Sequence, residues 1–411
     1  MTTKQASPTA PGQRIVALDV LRGFALLGIL VMNIQLFAMP VQFITFNPLA
    51  YGDLTGINLA VWSLSHIFAD QKFMTIFSPL FGAGILLLAE RLEARGQSAR
   101  GIHYRRNAWL LLFGLAHGFL LWNGDILAPY ALAGFVVFLF RHMWPRRLVI
   151  FGLVLLLVPA VLTLLGSLSP ADSVAAVRSD WSPSVSAIDE KVAAYRGGWL
   201  EQMSARVPGE IEVLTGVLLT WAIWRAGGLM LLGMAGYKWG ILTAQRSGRF
   251  YAWMALIGLS IGLPLATLSA WTNYANGFAP TYSLFGVGYQ LNYWGSIFVS
   301  SGYIGLVMLA TQRGWFGRVE HRLAAVGRTA LTNYLLHTVI CTTIFYGHGL
   351  GLYGSVERWQ QLLIVVGIWV VQLAVTPLWL ARFRFGPVEW LWRALTYAPG
   401  WKVLAWRGQG P

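Results

Sequence analysis

Residues 15–39 read Ile-Val-Ala-Leu-Asp19-Val-Leu-Arg22-Gly-Phe-Ala-Leu-Leu-Gly-Ile-Leu-Val-Met-Asn33-Ile-Gln-Leu-Phe-Ala-Met, an apolar run interrupted by only two charged side chains. At about 1.5 Å per helical residue, a stretch of this length crosses the roughly 30 Å hydrocarbon core of a bilayer. Comparable runs recur at 57–90, 107–123, 125–141, 146–168, 211–236, 249–271, 288–311, 324–347 and 359–381. The pattern predicts an all-α, polytopic membrane protein with about ten transmembrane helices in a single membrane domain. The bulk composition agrees. The chain has 411 residues, 56% of them hydrophobic and 11% charged, against about 25% charged in soluble domains. A soluble enzyme, a disordered chain and a disulfide scaffold are excluded together. The single cysteine, Cys341, lies in an apolar run, so neither a disulfide framework nor a thiolate metal cluster is expected, and no metal site is predicted.

The basic residues set the orientation. With a cytoplasmic N-terminus, 22 of the 30 Lys and Arg fall on the cytoplasmic side and five on the other, leaving Arg22, Lys72 and Arg225 inside spans. That asymmetry predicts both termini in the cytoplasm. It also turns the net charge of +14 into a topology signal with affinity for anionic membrane lipids, and no nucleic-acid partner is expected. The second run, 57–90, is too long for one simple span. Asp70, Gln71 and Lys72 near its middle predict a bend, a tilt or a broken helix. Residues 169–210 form a polar extracytoplasmic loop, with a linker leading into one or two short helices. Residues 382–411 mix Trp390, Trp392 and Leu395 with Arg384 and Arg393, as in an interfacial amphipathic tail. The length of the first run, its internal Arg22 and the runs that follow argue against a cleaved signal peptide.

Ionisable groups inside a bilayer cost at least about 2.5 kcal/mol each at mid-depth, so each needs a reason. Asp19 and Arg22, three apart on the first helix, form an intrahelical pair or an anion site for a phosphate-bearing donor. His66 and Asp70, four apart, put an imidazole and a carboxylate on one face, the arrangement of an oriented general base. Lys72 is a partner for Asp70. In His117-Gly-Phe-Leu-Leu-Trp122-Asn123-Gly124-Asp125-Ile-Leu-Ala-Pro129-Tyr130, the Asn-Gly turn folds the chain back, so that Asp125 and Tyr130 can meet His117. Asp125 is equally placed to cap the next helix. Asn333, Tyr334 and His337 form a polar stripe suited to helix–helix hydrogen bonding. Arg225, flanked by Trp221 and Trp224, is a buried cation for a phosphate or carboxylate, or a counter-ion for Asp70 or Asp125. Nucleophile-elbow, zinc-protease, Walker and dinucleotide signatures are absent from the sequence.

Leu18-Asp19-Val-Leu-Arg22-Gly23-Phe-Ala25-Leu26 with Asn33, Lys72-Phe73, Phe77-Ser78-Pro-Leu-Phe81-Gly82, Trp122-Asn-Gly-Asp125, Gly327-Arg328-Thr-Ala-Leu-Thr332-Asn333-Tyr334 and Arg384-Phe385-Gly386-Pro387-Val-Glu389-Trp390 extend over nearly the whole chain. Together they resemble the YeiB-like bacterial membrane proteins, a family of unknown function. The first-helix pattern is more distantly similar to heparan-α-glucosaminide N-acetyltransferase and to integral-membrane acyltransferases of surface sugars. In the sugar acyltransferases a catalytic histidine follows the first-helix arginine by eleven positions, where this chain has Asn33. The heparan enzyme also has asparagine there, and takes its histidine from the segment leading into the second helix. His66 is the nearest counterpart, at a different spacing.

The resemblance implies a multi-pass protein of the bacterial inner membrane that moves an acyl group from cytoplasmic acyl-CoA to a hydroxyl or amine on a lipid or sugar at the outer face. His117 with Asp125, or His66 with Asp70, would supply the base. Asp19, Arg22, Asn33, Lys72, Tyr130, Arg225, Asn333, Tyr334 and His337 would bind substrates. The alternatives are a small-molecule or lipid transporter, with broken helices at Asp70–Lys72 and Ala226–Gly228, or a non-catalytic component of an envelope assembly. A homo-oligomer stays open as a partner arrangement.

Overall fold

The first apolar run forms one helix, α1 (Val16–Ala38), at the centre of the molecule. The structure, a computed structural model, describes residues 15–41, 43–168 and 180–397. Every regular element among them is helical. After α1 come α2 (Gly56–Phe68), α3 (Lys72–Glu93), α4 (Ala99–Leu120), α5 (Leu127–Val137) and α6 (Pro145–Gly166). Next are α7 (Val185–Arg196) and α8 (Met203–Glu212), the latter running through a π-helical stretch, Val213–Ala222, into α9 (Ile223–Lys238). The chain ends with α10 (Gly248–Ala275), α11 (Val287–Gln312), α12 (Arg318–Arg328), α13 (Ala330–Phe345), α14 (Arg358–Arg382) and α15 (Pro387–Tyr397).

Among the described residues, seven helical stretches are long and apolar enough to cross a membrane: Val16–Ala38, Gly56–Glu93, Pro145–Gly166, Met203–Lys238, Gly248–Ala275, Pro280–Gln312 and Arg358–Arg382. Leu127–Phe140 and Ala330–Phe345 are apolar but shorter. The remaining expected spans take other forms for identifiable reasons. The run at 324–347 divides at Thr329 between α12 and α13, because hydropathy adds up apolar residues without registering a backbone break. The run at 107–123 is the end of α4, whose first turns carry Arg100, Arg105 and Arg106. The run at 125–141 becomes α5 plus a turn of 3-10 helix, Phe138–Phe140.

The long second run is two helices joined at Ala69–Gln71, with Gln71 at φ 63 in the left-handed region. Ala226–Gly228, by contrast, lie inside the unbroken α9 and not at a helix break. Gly228 there lets α9 approach the Gly152 carbonyl of α6 to 2.7 Å from where a Cβ would sit. The irregularity is the π stretch just before α9. Tail residues Pro387–Tyr397 form α15, which packs on α4 and α13. The rest of the tail, the first part of the 169–210 loop and the basic residues Lys4 and Arg14 lie outside the described residues.

α1 packs against α3, α12, α13 and α14. The closest approach is to α12: a Cβ on Gly23 would collide with the Leu323 carbonyl, and one on Gly327 with the Asp19 carbonyl. Without a hydrophobic drive between helices in lipid, small residues at such crossings permit the close packing that holds a bundle together.

Candidate functional site

At the arginine-rich end of the bundle a cavity of about 260 Å³ opens between α1, α3, α4, α12, α13 and α15. Among the described residues Arg22, Arg91, Arg106, Arg328 and Arg393 line it, against two carboxylates, Asp19 and Glu389. Its walls are apolar (Leu26, Ile29, Leu80, Phe81, Ile85), and Ile126, Tyr130 and Tyr334 also line it. Arg22 bonds Asp19 at 2.9 Å. Arg106 lies 4.0 Å over the Trp392 ring, whose indole N–H donates to the Arg106 carbonyl at 2.8 Å. The tail helix is thereby fastened across the cavity. Glu389 accepts from the Thr332 amide (2.9 Å) and hydroxyl (2.5 Å) at the start of α13, a carboxylate at the positive end of a helix. Burial holds its carboxyl above the ordinary value.

Behind Tyr334 lies the first histidine site. His117 on α4 places Nδ1 2.8 Å from Asp125 and Nε2 2.8 Å from Thr338 on α13. A carboxylate only accepts, so Nδ1 carries the proton and the Thr338 hydroxyl donates to Nε2. The other Asp125 oxygen accepts the Ala128 amide at 2.7 Å. The two sequence readings of Asp125, helix cap and histidine partner, therefore hold at once. His117 and Asp125 are buried, and neither lines the cavity. Tyr130 does, and its hydroxyl pairs with Ser78 at 2.6 Å instead of meeting His117. Glu210 of α8 packs on Gly118 with Oε2 unpartnered among the described residues.

The second site surrounds the break between α2 and α3. His66 Nε2 is 3.1 Å from the Ser269 hydroxyl, and that hydroxyl donates to the Gly288 carbonyl at 2.6 Å. Ser269 has one proton and it is committed, so it accepts from His66 Nε2–H. The neutral ring then presents a bare lone pair at Nδ1. Nδ1 is 3.3 Å from Asp70 and has no hydrogen-bond partner among the described residues. Asp70 accepts from Asn292 at 2.6 Å, and Asn292 accepts from Lys72 at 2.5 Å. The Lys72 ammonium also reaches the His66 carbonyl at 2.7 Å. Lys72 thus serves Asp70 through an amide and not by direct contact. Arg225 donates to Thr75 and Ser296 and lies 4.2 Å over Tyr293, so neither Asp70 nor Asp125 is its hydrogen-bond partner.

His337, Asn333 and Asn33 are not among the residues that line the cavity. His337 pairs with Gln372 at 2.8 Å, and Gln372 donates to the Asn333 carbonyl at 3.2 Å. Asn333 donates to Thr329 at the α12–α13 break. Asn33 is half-buried on α1. Replacing His337 by leucine is expected to cost about 0.5–2 kcal/mol, the range of interhelical hydrogen bonds in bundles, read as a small drop in the detergent melting midpoint.

Sequence reasoning missed Thr338, Ser269, Asn292 and the cavity arginines 91, 106, 328 and 393. Asn292, Ser296 and Ser300 recur every fourth residue along α11, a polar stripe in an apolar run that was open to notice. The arginines enter the sequence reading only through the orientation count.

Helices of membrane-spanning length enclosing buried ionisable clusters define a multi-pass helical membrane protein. The comparisons with known proteins narrow this. The chain is 36% identical to the uncharacterized protein YeiB of Escherichia coli (strain K12), over 93% of this chain and 96% of that one. It is 32% identical to the uncharacterized protein YxaH of Bacillus subtilis (strain 168), over 97% and 98% of the two chains. Residues 236–399 match the family described as "Protein of unknown function (DUF418)". The chain belongs to this YeiB-like family. No solved structure matches it.

Proposed function

We propose that the chain is a transmembrane acyltransferase of the bacterial inner membrane, with ten crossings and both termini cytoplasmic. One observation carries the reading: the arginine-lined, apolar-walled cavity at the basic end. Five guanidinium groups with two carboxylates suit a phosphate-bearing head, and the apolar walls suit an acyl chain. A cytoplasmic acyl-CoA has both parts.

The geometry favours His66 over His117 as the base. Both ring nitrogens of His117 are engaged, whereas His66 keeps an unengaged Nδ1. The cavity wall and the His66 site share a helix: Phe77 lines the cavity on α3, which begins at Lys72 beside His66. Five residues separate the two positions, about 7.5 Å along a helix axis. In the proposed step His66 Nδ1 takes the proton of an acceptor hydroxyl as its oxygen bonds the thioester carbonyl carbon. The C–S bond then breaks, and the CoA thiolate leaves with the proton. Lys72 and the Asn292 amide are the nearby donors for the developing oxyanion.

The expected result is saturable binding of palmitoyl-CoA to the full-length protein in nanodiscs. Arg106→Gln/Arg393→Gln should weaken it at least about tenfold, as loss of charge-assisted bonds to phosphate does. Protein that neither binds nor hydrolyses acyl-CoA would rule the reading out. A transporter is the second reading, favoured by the break at Ala69–Gln71. It predicts ligand movement with no covalent product.

A further inference from the structure

A small pocket of about 10 Å³ lies at the end of the molecule opposite the arginines, and His66, Gln71, Asn273 and Ser283 contribute to its lining. Each of the four carries a buried polar atom without a hydrogen-bond partner among the described residues: His66 Nδ1, Gln71 Oε1, Asn273 Oδ1 and Ser283 Oγ. Unpartnered buried polar atoms cost about 1–3 kcal/mol apiece, so four on residues that line one space point to an occupant. They come from separate elements: the end of α2, the α2–α3 junction, α10 and the turn Pro280–Ser283. Gln71 reaches the pocket from a left-handed backbone conformation (φ 63). Strain of that kind at a non-glycine residue concentrates at ligand clamps.

The chemistry of the lining selects the occupant. His66 Nδ1 is a bare acceptor, as the Ser269 relay requires, and the Gln71 and Asn273 oxygens are acceptors too. The group that enters must therefore donate hydrogen bonds. It must also be small, because the space holds one water-sized group. It must further be uncharged. Lys72 already serves Asp70 through Asn292, and Arg225 lies buried nearby with Nε and Nη1 unpartnered among the described residues. Asp70 also lines the pocket, 3.3 Å from His66 Nδ1, and with both cations set against this one carboxylate the formal charge of the cluster is positive, which opposes an ammonium ion. Phe46 and Tyr289 flank the opening with aromatic surface.

We propose that this pocket is the acceptor site and that it admits a neutral hydroxyl while rejecting a charged amine. The proposal rests on the acyltransferase reading for its catalytic meaning, whereas the binding selectivity stands without it. The hydroxyl O–H would donate to His66 Nδ1 and its oxygen would accept from Ser283, leaving the rest of the acceptor molecule outside the pocket.

The test follows the His66 ring directly. Full-length protein labelled with ¹⁵N-histidine is placed in nanodiscs, and His66→Gln identifies the His66 signals by difference. Three probes are compared: methyl glucoside, a diacylglycerol in the bilayer, and cyclohexylamine, which has no hydroxyl, at about pH 6, where such an amine is charged. A saturable shift of the unprotonated Nδ1 resonance with the glucoside or the diacylglycerol, absent with cyclohexylamine, is the expected result. Which neutral probe acts tells a glycan hydroxyl from a lipid one. Asn273→Leu and Ser283→Ala should each weaken that response at least about tenfold. A shift with the amine alone, or with none of the probes, overturns the proposal, the second outcome leaving a structural water as the occupant. A hydroxyl-specific shift without acyl transfer from palmitoyl-CoA would retain the site and remove the acyltransferase reading. Acyl transfer without the shift would do the reverse.

Discussion

His117→Leu is expected to destabilise the protein by about 3 kcal/mol, the cost of leaving a buried carboxylate without its hydrogen-bond donor. The stranded group is Asp125, whose side chain is 1% exposed and whose Oδ1 faces His117 at 2.8 Å. Thr338 also loses the acceptor of its hydroxyl proton. His117→Leu/Asp125→Leu removes both partners and should cost far less than the sum of the two single changes, although the Ala128 amide still loses its cap. Melting midpoints of the four proteins in one detergent check this. If the double variant simply adds the two losses, the pair is not a coupled unit. The prediction bears on function because it separates the two histidines. His117 is expected to act mainly on stability, whereas His66→Gln should abolish transfer while leaving palmitoyl-CoA binding and most of the melting midpoint in place.

The second large effect is expected at the crossing of α1 and α12. Gly327→Leu should cost at least about 3 kcal/mol, the upper end of the range for overpacked cores. A Cβ there would overlap the backbone carbonyl of Asp19, which no rotamer change relieves. Because Asp19, Arg22, Gly327 and Arg328 all line the cavity, the same substitution should widen its mouth and weaken palmitoyl-CoA binding. Gly367→Leu on α14 is the control, since nothing lies within 4 Å of a Cβ at that position. Retention of wild-type size-exclusion behaviour by Gly327→Leu would mean that the two helices are not packed this closely.

Much of the architecture is legible one stretch at a time. Hydropathy and charge are sums over local residues, and a membrane responds to those sums. Hence residues 15–39 announce a crossing, and Asp70–Lys72 announce trouble within a long run. The same locality explains why 324–347 reads as one unbroken run: the apolar sum passes across Thr329, where the backbone turns away from helical geometry. Ala226-Gly227-Gly228 misleads in the opposite direction. Glycines suggest a break, but there one of them serves contact with α6.

The sites divide along the same line. Pairs close in sequence, such as Asp19 with Arg22, His66 with Asp70 and His117 with Asp125, are visible as spacing, because a helix or a tight turn fixes their separation. What each histidine can do is not visible. His66 owes its unengaged lone pair to Ser269, 203 residues away, and His117 loses its own to Thr338, 221 residues away. The sequence by itself determined a helical membrane chain, the asymmetry of its basic residues and the short list of buried ionisable groups. Only the tertiary structure decided which of those groups share a cavity, which neutralise one another and which ring nitrogen is left open. A hydrogen-bond donor has one proton to give, and the recipient is chosen by the packing of helices distant along the chain.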